Sequence, residues 1–419
     1  MGRANRRLRR RRRRGRRAGA AGLRPRAAAR FPHSRRGALR DRAAAHAHRE
    51  ARPPHPDRRL LVTGRRGREW WLRRHVTGRP APADVELVEV DVEAPPPGSA
   101  LVANEFMSVE PYMRGRMDGR ANYAAPYELD RPMTGSAVGR VVSSDSLPVG
   151  ALVRHDLGWR EYATVPAKDC ELLPATDLPA SAFLGVLGIP GLTAWAGLNK
   201  IARLREGETV FVSSAAGGVG SVAVQLAKAA GCTVLASAGS AEKVLMVREV
   251  LGADAVFDHR GPVTVRLKEA LAEAGSPGID VYFDNVGGEQ LEAALRFLND
   301  RARVVLCGMI SIYNNTGKTP GPANLIRLVW RRARMEGFLV SDHLGDRPEF
   351  EAELTGLIRR GAVKPVETVV RGGIEAAFDA LLGMLGGRVT GKTVVSLVSD
   401  NHHNYDKENE RWRGARHGR

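Results

Sequence analysis

The chain has 419 residues, enough for two domains with cores of their own, and a formal net charge of +19. The first 60 residues hold 22 arginines, no lysine and three acids, which is the whole excess; the remainder sets 43 basic against 43 acidic residues. A neutral body argues against nucleic acid as the partner of the folded part, and no apolar run of 18 residues offers a membrane span.

Residues 1–67 are dominated by Arg6, Arg7 and the run Arg9 to Arg14, set among Ala, Pro, Gly and His. Too little is apolar to build a core, so this segment is predicted to be a disordered, dispensable Arg-rich extension. The alternatives are a tail for nucleic acid or an anionic surface, and a mitochondrial transit peptide. The transit reading suffers from too dense an Arg run, little Ser and no amphipathic period. No apolar region follows the arginines, which argues against a secretory or twin-arginine signal.

From about residue 68 the texture changes. The stretch 85–92 (VELVEVDV) alternates apolar and acidic residues, as a half-buried strand does. Further short strands are predicted at 100–106, 137–142, 152–153 and 161–165, with Gly and Pro between them about every ten residues. Residues 68–187 therefore read as a small, barrel-like β domain. A small-residue helical connection at 185–199 opens a second domain, 188–365, of alternating strands and helices. Its strands are predicted at 209–213, 233–238, 256–257, 278–284, 303–307 and 335–340. Helices are predicted at 354–360 and 374–385 and a last strand at 390–397. Residues 398–419 are polar, without periodicity, and predicted to be a disordered tail. The fold class is α/β, a doubly wound parallel sheet joined to a β-rich domain.

The stretch 208–258 organises the chemistry. An apolar strand runs into the turn Ser214-Ala-Ala-Gly217-Gly218-Val219-Gly220, then a helix rich in Val and Ala, then a second strand. Small residues there let backbone N–H groups approach a pyrophosphate at the positive end of the helix. An NAD site would place Asp or Glu at the end of the second strand. This chain has Ala238, Gly239 and Ser240, with Lys243 close behind. A missing carboxylate beside a hydroxyl and an ammonium suits the 2′-phosphate of NADP(H). His259 and Arg260 could close the same pocket.

No metal site is expected. The first domain offers only His75, His155 and Cys170, without ligand spacing, and without a Lewis acid hydride addition to a polarised C=C bond is more natural than alcohol oxidation. Cys170, Cys232 and Cys307 form no C-x-x-C pair, which argues for free thiols, a reducing compartment and a cytoplasmic location.

Seven stretches in fixed order carry a resemblance: EPYMRGRM at 110–117, GIPGLTAW at 188–195, AAGGVG at 215–220, GSAEK at 239–243, YFDNVGG at 282–288, CGMISIYN at 307–314 and EGFLV at 336–340. With them the chain from 68 to 397 resembles the zinc-free medium-chain dehydrogenase/reductases of the prostaglandin reductase and leukotriene B4 12-hydroxydehydrogenase family. Within that family it is most similar to the bacterial curcumin-reductase-like and plant alkenal reductases. The resemblance implies a GroES-like catalytic domain, 68–187, completed by a returning segment, 366–397, and a Rossmann NADP-binding domain, 188–365. It implies NADPH-dependent reduction of α,β-unsaturated ketones or aldehydes.

It further implies that Gly217, Gly218, Val219 and Gly220 cradle the pyrophosphate and that Lys243, with Ser240 and His259, meets the 2′-phosphate. Asn285, Cys307, Gly308, Tyr313, Phe338, Leu339 and Val340 would line the nicotinamide side. Tyr313 is the candidate acid or hydrogen-bond donor toward the substrate carbonyl, and Tyr112 and Met113 would shape the substrate pocket. Arg114 and Arg116 are open to a structural reading, as charges pairing across the domains. Two departures stand out: Ser214 where the family has Ala, and Val389 where it has Asn. The partners implied are a small enone or enal and a second copy of the chain. A quinone reductase would share fold and cofactor, and a non-enzymatic NADPH-binding protein with a nucleic-acid-binding Arg tail is the reading furthest from these motifs.

Overall fold

A computed structural model describes residues 64–120 and 122–398. The Arg-rich extension up to residue 63 and the tail from 399 lie outside the described residues.

The first half is built from short strands around one long one. Strand β1 (Arg66–Leu72) pairs with β2 (Val85–Asp91) in a three-stranded sheet. It starts two residues inside the stretch assigned to the extension. The long strand β3 (Ser99–Val109) is buried along most of its length and ends in the short helix α1 (Tyr112–Arg116). The two-residue β4 (Arg131–Pro132) completes the first sheet. Next come β5 (Ala137–Ser144), β6 (Leu152–His155), β7 (Tyr162–Pro166) and β8 (Glu171–Leu172), all in the sheet of β3.

Helix α2 (Ile189–Ala196) begins at Pro190 in its first turn and runs on through one wider turn, Gly197–Ala202. It leads into the sheet of the second half. The strands are β9 (Thr209–Val212), β10 (Thr233–Ala238), β11 (Ala255–Asp258), β12 (Ile279–Asp284), β13 (Leu298–Leu306) and β14 (Arg334–Gly337). They are all parallel, in the order β11-β10-β9-β12-β13-β14. This is the doubly wound order, in which the chain reverses direction between β9 and β12 and leaves a crevice at their carboxyl ends. Helices α3 (Gly218–Ala229), α4 (Ala241–Glu249), α5 (Val263–Glu273), α6 (Gly288–Arg296) and α7 (Ile326–Arg331) connect the strands. Apolar residues such as Val210 and Val212 face one core, and Phe211 and Tyr282, stacked 4.8 Å apart, face the other.

Helix α8 (Arg347–Arg359) then leads to β15 (Glu367–Val370), α9 (Ala377–Leu385) and β16 (Lys392–Ser396). Strand β16 pairs antiparallel with β3, and β15 lies beside it. The last strands thus re-enter the sheet of β3, and Gly391, just before β16, meets Gly217 of the second half.

Candidate active site

The predicted cofactor residues follow one strand each. Ser214 to Gly220 follow β9, Ser240 and Lys243 follow β10, and His259 follows β11. Asn285 follows β12, Cys307 and Gly308 follow β13, and Phe338 to Val340 follow β14. Most of them are half-buried, as the walls of a cleft are; Leu339 is exposed.

The turn after β9 is set by backbone. Ser214 sits in the left-handed region (φ 51°), and its carbonyl accepts from Gly217 N–H at 3.0 Å. A Cβ on Gly220 would lie 2.3 Å from the Ser214 oxygen, so only glycine fits. The first turn of α3 has no side-chain cap, so its N–H groups point out of the turn unclaimed by side chains. Together they form an anion cradle that fits a pyrophosphate.

At the end of β10 no carboxylate is present. Lys243 Nζ donates to the Gly387 carbonyl at 2.7 Å and forms no ion pair among the described residues; burial pulls its pKa down, partly offset by Glu242. Ser240 caps α4, its Oγ accepting from Lys243 N–H at 3.2 Å, so its hydroxyl already has a structural task. His259 Nδ1–H donates to Ala238 O at 2.8 Å, which fixes the tautomer and lays the ring beside Gly239. Arg260 is turned away, held on Asp258 at 2.6 Å, so of that pair only His259 borders the pocket. Lys243 and His259 with no acid at the end of β10 fit a 2′-phosphate.

The stretch predicted to line the nicotinamide hangs on Asp284, wholly buried at the end of β12. Its Oδ1 accepts from Tyr282 O–H at 2.7 Å, from Val286 and Gly287 N–H at 2.9 Å, and from Ser213 Oγ at 3.2 Å. Its carbonyl accepts from Cys307 N–H and Gly308 N–H at 2.9 and 3.0 Å. Asn285 Nδ2 donates to Ser213 O at 2.8 Å. Three strand ends are thereby tied at one point. Burial pushes the Cys307 thiol up to about 12, with Asp284 adding to the effect, so it stays protonated and unreactive.

Tyr313 arches over this floor, with its hydroxyl 3.5 Å from where a Cβ on Gly308 would stand. Burial raises its pKa above 10, with Cys307 adding to the shift, so the phenol keeps its proton at neutral pH. Tyr123, on the loop after α1, was not singled out from the sequence. The residue is 61% exposed, but its phenol is within electrostatic reach of Tyr313, Glu110 and Cys307, and desolvation of the hydroxyl, with Tyr313 adding to it, raises its pKa, so it too stays a donor. A lone Tyr among Asn, Ala and Pro carries no periodicity that could mark it. Tyr112 is half-buried beside Glu110, whereas Met113 is fully buried against Trp159 and Gly135 in the catalytic core. Of the two, Tyr112 alone offers surface to a substrate.

Arg114 and Arg116 do not pair across the domains. Arg114 Nε donates to Gly78 O at 2.8 Å, and Arg116 donates to Ala125 O at 2.7 Å and stacks on Tyr127 at 4.1 Å. Both bind loops within the catalytic half. The three cysteines are free thiols. Among the described residues, no three His, Cys, Asp or Glu side chains are grouped so as to hold a metal, and no helix is long and apolar enough to cross a membrane.

Comparison with known proteins shows the family. Residues 68–173 match the family model described as the N-terminal domain of oxidoreductase, and 218–359 the one described as zinc-binding dehydrogenase. The metal in the second description finds no ligand group here among the described residues. The chain belongs to the medium-chain dehydrogenase/reductase family. It is 37% identical to the NADPH-dependent curcumin reductase of Escherichia coli, over 80% of this chain and 98% of that protein. It is 39% identical to the NADP-dependent 2-alkenal reductase of Nicotiana tabacum, over 78% and 96%. The crystal structure of CurA from Vibrio vulnificus in complex with NADPH superposes with a TM-score of 0.74 at 35% identity, covering 79% of this chain and 99% of that one.

Proposed function

We propose that the chain reduces the C=C bond of α,β-unsaturated ketones and aldehydes with NADPH. The observation that carries this is Tyr313, a protonated phenol over Gly308 at the carboxyl edge where the strand ends after β9, β12 and β13 are tied together. When bound, NADPH supplies the hydride that reaches the β-carbon. The chain's own residues do the rest. The 217–220 turn holds the pyrophosphate, Lys243 and His259 hold the 2′-phosphate, with Ser240 beside them, and Asn285, Cys307, Gly308 and Phe338 to Val340 flank the ring. Tyr313 donates its O–H to the substrate carbonyl oxygen, where negative charge gathers as the β-carbon is reduced. The enolate then takes a proton at the α-carbon, relayed from water through the phenol. Tyr112 and Tyr123 wall the substrate side.

NADPH oxidation against a panel of 2-alkenals, enones and benzoquinones tests the reading. Enones and alkenals turning over at least about tenfold faster than quinones, by kcat/KM, is the expected result. Turnover of quinones alone would replace it with a quinone reductase.

The same reading includes a homodimer. Strand β14 is an edge of the parallel sheet, and α7 beside it exposes Ile326, Val329 and Trp330. Two copies of β14 related by a two-fold axis would continue the sheet and cover those side chains. Light scattering checks this, and a monomer at micromolar concentration would contradict it. Free thiols at Cys170, Cys232 and Cys307 support a cytoplasmic location.

A further inference from the structure

Lys392 is a deeply buried cation beside the site, and the mechanism above does not use it. Its side chain is 4% exposed and that of Glu110 8%, with Nζ 2.8 Å from Glu110 Oε1. The same ammonium donates to Ser108 Oγ at 2.5 Å and to Val109 O at 3.2 Å, and Ser108 Oγ donates to Glu110 Oε1 at 2.8 Å. This network grips the end of β3 immediately before α1 and Tyr112. The other end of the residue lies elsewhere. Lys392 Cα and Cδ stand 3.5 and 3.6 Å from where a Cβ on Gly218 would be, in the first turn of α3. The residue before it, Gly391, donates its N–H to Ala216 O at 2.7 Å. Gly391 has φ +69°, and a Cβ there would fall 2.1 Å from Val366 O, so the approach to the turn requires glycine.

One residue therefore touches the pyrophosphate cradle with its stem and the substrate wall with its charge. Such an ion pair is a poor source of stability, because desolvating both charges offsets most of their attraction. On the other side Glu367, opposite Lys392 in the strand pairing, leaves its Oε1 buried without a hydrogen-bond partner, so the surroundings are not simply optimised for burial.

The geometry points to Lys392 and Glu110 as a latch: Lys392 is a positioning residue that transmits occupancy of the 216–220 turn to the 108–112 segment and so sets the substrate wall once the cofactor is in place. This rests on the cofactor reading above. Filling the turn presses on Gly218 and the Lys392 stem. The ammonium, held at its tip by three acceptors, passes the displacement to Ser108, Val109 and Glu110, and Tyr112 follows. Coupling of this kind is reciprocal and amounts to a five- to roughly hundredfold change in affinity.

The test uses the whole chain, with NADP+ as the probe and amide hydrogen exchange as a readout separate from activity. NADP+ is expected to slow exchange in both 216–220 and 108–112 of the wild type. In Lys392→Met, and in the milder Glu110→Gln, slowing is expected to persist in 216–220 and vanish in 108–112. In both variants KM for an enone should rise about tenfold while Kd for NADP+ stays within about threefold. Lys392→Arg should restore part of the KM. A purely structural role would lower the melting temperature and leave the exchange response of 108–112 intact, which would overturn the latch. If Lys392→Met does not fold, Glu110→Gln and the wild-type response decide. A wild type that binds NADP+ without slowing 108–112 sinks the latch alone, and one that does not bind NADP+ sinks the cofactor reading with it.

Discussion

The two halves of the site are built in different ways. The phosphate half is written in backbone. Ser214 holds a left-handed turn, Gly220 leaves room for the Ser214 carbonyl, and the open first turn of α3 supplies the N–H groups. Its residues are neighbours in sequence. The proposed substrate half is written in side chains from distant stretches, Tyr112, Tyr123 and Tyr313, whose hydroxyls would carry its chemistry. A backbone site tolerates no added atom, while a side-chain site tolerates change of shape and loses function atom by atom.

The contrast can be broken most forcefully at Gly220. Gly220→Ala sets a methyl 2.3 Å from a backbone oxygen, and the turn must move. Strain of at least about 3 kcal/mol, more than a hundredfold in Kd for NADPH by fluorescence titration, is expected. On the other half, Tyr313→Phe removes one donor and keeps the ring. It should lower kcat on an enone about a hundredfold and leave Kd for NADPH within about twofold. Because burial raises the Tyr313 pKa, any alkaline loss of wild-type rate from this group should come at higher pH than for a free phenol.

Lys243→Ala probes the phosphate half without touching its backbone. Losing one charged contact should weaken NADPH by about 2 kcal/mol and leave NADH unchanged, so the preference between the two narrows. The smallest effect concerns the catalytic half. His155 Nδ1 accepts from Leu157 N–H at 3.1 Å and Nε2–H donates to Asn104 Oδ1 at 2.9 Å, so it is buried neutral. Burial, with Arg160 adding to it, pulls its pKa from 6.5 to about 4. A depressed pKa means stability that is full above 6.5 and falls as pH drops toward 4. From 6.5 to pH 5 the loss is about 1.5 kcal/mol. Urea titrations should show it in the wild type and not in His155→Gln.

The same contrast governs what the sequence discloses. Strand 233–238 was read with the ends it has, because a run of small apolar residues between a glycine turn and an N-cap serine leaves no other assignment. The strand-to-helix turn at 214–220 is legible for the same reason, since its small-residue spacing dictates its backbone. The helix at Arg347–Arg359 was first seen only from residue 354, since its opening turns are charged and only Pro348 marks the start. Strand Glu367–Val370 went unread because every residue in it is half-buried, without alternation. Tyr123 and Lys392 were not found at all. One lies in a loop, and the other sits in a strand whose pattern says only that it is buried. Tyr313, within electrostatic reach of Tyr123, and Glu110, bonded to Lys392, lie nearly 200 and nearly 300 positions away, and a linear pattern holds no record of that. Met113 shows the opposite error, a motif position taken for a pocket residue that in fact fills the core.

The central claim is that hydride reaches the β-carbon of an enone. Reduction of an enone with NADPH carrying deuterium at the transferable C4 position, followed by mass and NMR analysis of the product, tests it directly. The expected product is a saturated ketone with one deuterium on the β-carbon and a solvent-derived hydrogen on the α-carbon. An allylic alcohol with deuterium on the carbonyl carbon would contradict it.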